Sequence, residues 1–495
     1  MDSGTLVRTQ LCIVGAGFSG LGMGIRLRQA GITDFLILDS GPEVGGTWRD
    51  NHYPGCACDV PSRLYSFSFH PNPDWSRKYA PQSEIWAYLK DCVAEYGLAP
   101  HIHLNRELRR ASYREQDARW MLECADGQRY DCRVLISAIG GLSRPAMPSI
   151  PGLEQFGGPA FHSSNWRHDV DLSGKTVGVI GTGASAIQFV PQIAPQAKKL
   201  VLFQRTPPWI LPRRDRAIRQ SWKWMYRKFG LIQKLVRGLT YLQMESRALG
   251  LSRYPVLLRI MERIARRHIA AGIGDKTLRE QVTPRFRLGC KRVLLSDDYY
   301  PALVRENVQL ETTSIERVQE HGVTLENGEF VALDVLVYGT GFQATSPVPA
   351  GMILGREGED LTDAWQAGPE AYLGTTVAGF PNLFMLMGPN TGLGHNSVVY
   401  MIESQIGYVL RCLETMRKQD LRSVEVRSEV QEAFNVHLQA EFAGSVWTSG
   451  CKSWYLHESG KNTTLWPGMS YQFRQRMKHF RLSDFRWEAR EHKAV

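Results

Sequence analysis

Two glycine-rich turns limit what this chain can fold into more than any other feature. Residues 11–14 form a short apolar run that enters Gly15-Ala-Gly17-Phe18-Ser19-Gly20. A helical pattern continues to about Ala30, and then a second apolar run, Phe35-Leu-Ile-Leu38, closes on Asp39. This is a strand, a tight turn, a helix and a strand. The first glycine permits the turn, the second lets the backbone approach a pyrophosphate, and the third lets helix and strand pack closely. The terminal carboxylate can hold a ribose hydroxyl. The pattern returns at 176–180, with Gly181-Thr182-Gly183-Ala184-Ser185-Ala186 and a second strand at 200–203. That strand ends in Gln204-Arg205-Thr206. An acid there would repel a 2′-phosphate, whereas a guanidinium and a hydroxyl attract one. The first unit reads as a site for FAD and the second as a site for NADPH.

The strands downstream of each turn also repeat. In the first half, strand-like runs stand at 102–104, 111–114, 120–124 and 130–132, then a separate buried run at 134–136 enters a glycine-rich exit. In the second half, runs at 308–310, 315–318, 323–325 and 330–332 precede 334–337 and Tyr338-Gly-Thr-Gly341. A repeat of this length predicts an α/β protein with two doubly wound, Rossmann-like dinucleotide-binding domains of the two-domain flavoprotein type. The expected FAD domain takes 1–150 and 338–495, and the expected NADPH domain takes 151–212 and 286–337. Between the latter two lies an expected helical insertion, 213–285.

Charge bears on that insertion. The whole chain carries +10, but residues 211–290 hold 19 Lys and Arg against 5 Asp and Glu, a net +14. The rest of the chain is therefore slightly acidic, which argues against nucleic acid as a partner. Segments such as 256–267 suggest basic amphipathic helices, expected to form a helical subdomain with a solvated basic face and no stable membrane anchor. No apolar run is long enough to cross a bilayer, and the first strand begins too early for a secretory signal. The nine cysteines include no Cys-x-x-Cys pair and no cluster fit for a metal, so free thiols in a reducing cytoplasm are expected. The charged tail from Arg474 is expected to fray.

Two further stretches carry chemistry. One is the glycine-rich loop Gly45-Gly46-Thr47-Trp48, continuing through Tyr53-Pro54-Gly55 to Asp59. The other, between the two turns, is Phe156-Gly-Gly158-Pro-Ala-Phe-His162-Ser-Ser-Asn-Trp166. Together these resemble the fingerprints of the Baeyer–Villiger flavin monooxygenases, and the resemblance covers nearly the whole chain. It departs at Arg167, where that family has Pro or Asp.

The resemblance implies an NADPH- and O2-dependent enzyme that inserts oxygen beside a ketone carbonyl through an oxygen adduct at flavin C4a, giving an ester or lactone. It implies Arg292 of Lys291-Arg292 as the catalytic cation, oriented by Asp59. Gly15, Gly17, Phe18, Ser19, Gly20, Asp39, Gly46, Thr47, Trp48, Asp59, Tyr65 and Asn390 would hold FAD. Gly181, Thr182, Gly183, Ala184, Ser185, Arg205, Thr206, Lys291 and Trp454 would hold NADPH. His162 and Trp166 would form the hinge. Two other chemistries share the architecture: oxygenation of a sulfide or amine, and a disulfide reductase, for which Cys56-x-Cys58 has the wrong spacing.

Overall fold

The computed structural model describes residues 6–346, 348–451 and 453–490. Both predicted nucleotide-binding sheets are present. The first has eight strands, with Val7–Val14 flanked on one side by Phe35–Leu38 and on the other by Arg129–Ser137. Leu383–Met385, more than 240 residues later in sequence, pairs in parallel with Arg129–Ser137. The C-terminal part therefore contributes a strand to the first sheet. The second sheet has five parallel strands, with Thr176–Ile180 between Lys199–Phe203 and Val335–Tyr338. Its outer strand is Ala160–His162, so the stretch between the two turns is also a sheet edge.

The glycines do what their spacing required. Gly15 has φ +111°, and a Cβ on Gly20 would lie 1.8 Å from the Gly15 carbonyl oxygen. Helix Phe18–Gln29 can therefore touch its own strand only through glycine. Against this helix packs Val398–Lys418, capped by the Ser397 hydroxyl accepting from the Val399 amide at 3.3 Å. One apolar core runs without a break from Leu11 through Phe189 to Phe485, tying both sheets and both chain ends together.

Four expectations are corrected. The runs at 130–132 and 134–136 are one strand, Arg129–Ser137. Asp131 sits within it, fully buried, and is kept there by Arg114 at 2.7 Å and by Arg119. Arg133, the charged residue between the two runs, stays in the strand and donates to the Arg422 carbonyl at 3.3 Å. The tail does not fray through residue 490: Ser470–Met477 is a helix and Phe485–Ala489 pairs antiparallel with Leu421–Val426. Residues 491–495 lie outside the described residues. Not all the cysteines are free, because Cys290 and Cys451 form a disulfide with Cα atoms 6.3 Å apart. The other seven are buried thiols.

The fourth correction concerns the insertion. It is helical, with Gln220–Lys228, Gly230–Ser252, Leu258–Gly272 and Lys276–Gln281. Its outer face is not simply basic. Leu231, Leu235, Leu239 and Leu242 stand 59–79% exposed along the longest helix. The inner face of that helix is already filled by Met244, Ala248 and Leu251, so the second stripe has nothing to cover it. No described helix is long and apolar enough to cross a membrane.

Candidate functional site

The first glycine turn and the loop at 45–48 meet backbone to backbone. Gly46 has φ +52°, and a Cβ there would lie 3.1 Å from the Gly17 Cα. The two glycines leave open a cradle that any side chain would fill. Asp39 closes it from below: its carboxylate accepts from the Ala16 amide at 2.7 Å and the Gly41 amide at 2.8 Å. Arg49 adds a third bond to Asp39 at 2.6 Å. Sequence reasoning missed Arg49, although it directly follows Trp48.

Above the cradle, Phe18, Trp48 and Tyr65 form a wall of edge-to-face rings, with centroids 5.1 Å and 5.4 Å from Tyr65. The Trp48 indole donates to the Tyr65 hydroxyl at 3.1 Å. Burial pushes the Tyr65 phenol well up, so it stays protonated. Thr47 opens the short helical turn that carries Trp48, and Ser19 is buried in the first turn of its helix. Asn390, at φ +57°, spends its amide on the carbonyls of Asn462 at 2.6 Å and Leu465 at 2.9 Å. Its buried carbonyl oxygen has no partner among the described residues.

The second turn is built alike. Gly181 has φ +107° and would bring a Cβ within 2.4 Å of the Gly339 carbonyl. Thr182 donates to the Thr206 carbonyl at 3.2 Å, fastening the turn to the end of the second strand. Ser185 leads into helix Ala186–Ile193 without spending its side chain on a cap, and Gly183 and Ala184 complete the turn. Beside them Lys291 is held below the usual lysine value, first by burial and then by repulsion from Arg205. Neither cation is in a salt bridge among the described residues. Two like charges facing each other without an acid fit a dianion such as a 2′-phosphate.

Between these parts the structure brings together residues far apart in sequence. Arg292 donates to one oxygen of Asp59 through Nη2 at 2.5 Å and Nε at 3.0 Å. The Asp59 carboxylate raises the guanidinium further above its ordinary value, so the cation is permanent. The strand pair Ile210–Leu211 with Leu294–Leu295 fixes one side of Arg292, and the Cys290–Cys451 bridge fixes the other. Arg292 and Asp59 line a cleft whose walls include Met244, Leu251, Trp447 and Tyr455.

Tyr455 was missed by the sequence, which favoured its neighbour. Trp454 is 43% exposed, whereas Tyr455 is 2% exposed and has its phenol pushed up to about 12, mainly by burial. Glu245, also missed, comes from the insertion. It accepts from Asn396 at 2.7 Å and Ser470 at 2.8 Å, and lies 3.4 Å from His395. Burial alone would raise the Glu245 carboxyl, but these partners outweigh it and hold it low.

His162 and Trp166, the expected hinge residues, are not among those lining this cleft. His162 Nδ1 lies 2.8 Å from the Ser164 hydroxyl and accepts from the Ser164 amide at 3.1 Å. Trp166 wedges edge-on against Phe161 and leans on Phe189, the ring that also meets Tyr53 from the first cradle. Arg167, at the departing position, is paired with Asp169 on the surface.

Two glycine cradles, a phosphate-type cation pair and a permanent guanidinium in the cleft between them define an oxidoreductase of the two-dinucleotide type. The pyridine nucleotide-disulphide oxidoreductase family model matches residues 12–221. A Baeyer–Villiger monooxygenase of Pseudomonas aeruginosa is 52% identical over 478 residues, 96% of this chain and 91% of that protein. One from Streptomyces coelicolor is 44% identical, covering 96% of this chain and 92% of that protein. Among solved structures, an oxidized steroid monooxygenase bound to NADP matches with a TM-score of 0.86 at 28% identity, over 97% of this chain and 100% of that one. A closed cyclohexanone monooxygenase matches at 0.88 and 26% identity, over 98% and 100%. The chain belongs to the Baeyer–Villiger monooxygenase family.

Proposed function

We propose that Arg292, positioned by Asp59, is the catalytic cation of an FAD- and NADPH-dependent monooxygenase that inserts oxygen beside a ketone carbonyl. The observation carrying this is the Arg292–Asp59 pair on the wall of the cleft. A cation locked to one carboxylate oxygen through Nε and Nη2 keeps Nη1 free for an anion in front of it. FAD would lie in the cradle of Gly15, Gly17, Gly20 and Gly46, with Asp39 beneath and the Phe18, Trp48 and Tyr65 wall beside it. NADPH would lie on Gly181 and Gly183, its 2′-phosphate between Arg205, Thr206 and Lys291. When bound, reduced flavin supplies the activated oxygen and NADPH the electrons.

The protein's own task is to keep that oxygen anionic, because only the anion attacks a carbonyl. Arg292 provides fixed positive charge, and Asp59 holds its plane without neutralising its outward face. Tyr455 keeps its proton at any working pH and can donate beside Arg292. Leu251, Leu258, Met244 and Trp447 give the same cleft an apolar lining, which disfavours water beside the cation. Sulfide or amine oxygenation needs the protonated form of the same oxygen, which a permanent guanidinium disfavours.

The two sheets, with the boundaries expected from the sequence, are the proposed FAD and NADPH domains, and His162 and Trp166 the joint between them. Dependence on NADPH supports a cytoplasmic location. The test is NADPH consumption by the FAD-loaded protein over a panel of ketones and sulfides, with products identified. Esters or lactones from ketones support the reading, and sulfoxides alone would overturn it.

A further inference from the structure

From the insertion we infer a docking surface for an anionic lipid leaflet. Leu231, Leu235, Leu239 and Leu242 are spaced by four, four and three residues, which places them on one side of helix Gly230–Ser252. They are 79%, 62%, 59% and 63% exposed. The packed neighbouring turn and helix add Val256 at 58% and Ile260 at 60%. Isolated exposed leucines are ordinary, but four on one side of a single helix mark an interaction site.

The surroundings of the stripe choose the partner. Exposed Lys228, Lys234, Arg253, Arg259 and Arg263 are interleaved with it, and no salt bridge among the described residues engages any of them. Trp224 and Tyr254, 57% and 55% exposed, lie in the same insertion. Leucine flanked by cations outside any described salt bridge and by amphipathic aromatics is the composition of a helix that rests in a charged membrane interface. A second copy of this chain fits poorly, since it would press two windows of net +14 together. The proposal concerns one leaflet and no span, in keeping with the absence of a spanning helix among the described residues. It also gives the helix two faces with distinct tasks. Met244 and Leu251 line the cleft, while the leucine stripe would lie on lipid.

The experiment is flotation of the FAD-loaded full-length protein with vesicles, read without turnover and so independent of the proposed oxygenation. Vesicles of phosphatidylcholine with a minority of phosphatidylglycerol should carry the protein up at about 0.15 M salt, and release it at about 1 M. Pure phosphatidylcholine should carry much less. Leu235→Asp with Leu239→Asp should lower the bound fraction by about tenfold or more. Their flavin content and NADPH oxidation should match the parent, which shows that the fold survives. Charge reversal at Arg259 and Arg263 should weaken binding by roughly fivefold per cation. Failure of the parent to float, equal floating on both vesicle types, or unchanged floating of the leucine variants would overturn the proposal. So would a dimer in sedimentation equilibrium that the leucine substitutions dissociate without any vesicle binding.

Discussion

Removing the guanidinium at position 292 separates the two halves of the proposed reaction. Arg292 makes both its hydrogen bonds to a single Asp59 oxygen, at 2.5 Å and 3.0 Å, and touches neither glycine cradle through them. Arg292→Ala should therefore still bind FAD and still bleach with NADPH in the absence of oxygen. What disappears is the fixed positive charge facing the oxygen anion. Loss of one such preorganised electrostatic contact lowers rates by about 10²–10³. The substitution also leaves Asp59 without its cation, and an unneutralised carboxylate beside a developing anion adds to the loss. The expected result is NADPH consumed, hydrogen peroxide released and almost no ester. Arg292→Lys should recover little, because one ammonium cannot hold Asp59 on one side and present a second donor on the other. Asp59→Ala should be milder, since the cation remains but loses its orientation. The assay is ester and peroxide yield per NADPH, beside anaerobic stopped-flow reduction and measured FAD content. If Arg292→Ala makes ester at the parent's rate with the parent's coupling, the pair has no catalytic role.

Arg205→Ala should lower the kcat/KM preference for NADPH over NADH by about tenfold or more, the loss of one charge-assisted bond, and an unchanged ratio would remove the phosphate assignment from Arg205. Thiol titration of denatured protein should count seven cysteines before reduction and nine after, with none reacting quickly in the native state, where burial pushes Cys56 up to about 12; nine before reduction would refute the bridge. Burial holds His162 below the ordinary imidazole value, so the folded state resists a proton that the unfolded chain accepts below about pH 6.5. Stability should fall as pH drops through that value, and less steeply in His162→Gln; identical slopes of Tm against pH would rule this residue out as the cause.

Most of the two cradles was legible because their physics is local. A glycine at φ +111° beside a carbonyl 2.4 Å from its would-be Cβ is a demand the backbone makes on one residue. Strand, turn and terminal acid then lie within 30 residues of each other. Arg292 and Asp59 are 233 positions apart, and no spacing rule joins them. They are recognisable in the sequence only because their flanking motifs resemble those of a known family. Tyr455, Glu245 and Arg49 carry no such signal. Trp454 is named because the resemblance implies it, whereas burial in the cleft selects its neighbour Tyr455. Arg133 misleads in the opposite direction, since a charged residue between two apolar runs suggests a break until its partner, the Arg422 carbonyl, is visible. The disulfide is hidden because cysteine spacing excludes a redox pair but cannot show that two single cysteines, 161 positions apart, meet.

These long-range contacts converge on one place, and that convergence makes the cleft a site. Cys290 immediately precedes the Lys291-Arg292 pair, and its bridge to Cys451 anchors the segment that delivers Tyr455. Glu245 reaches from the insertion to Asn396 and Ser470, so the C-terminal part is held from a second direction. The insertion is thereby bonded to the cleft wall at Asn396, while its other side carries the exposed leucines. A buried carboxylate with four polar partners, three of them hydrogen-bonded, holds position far better than an apolar contact of similar size, because any shift leaves a charge unsatisfied. Movement of the insertion relative to the C-terminal part is thus opposed where it would open the cleft. The leucine stripe has no such restraint and is free to meet whatever surface fits it.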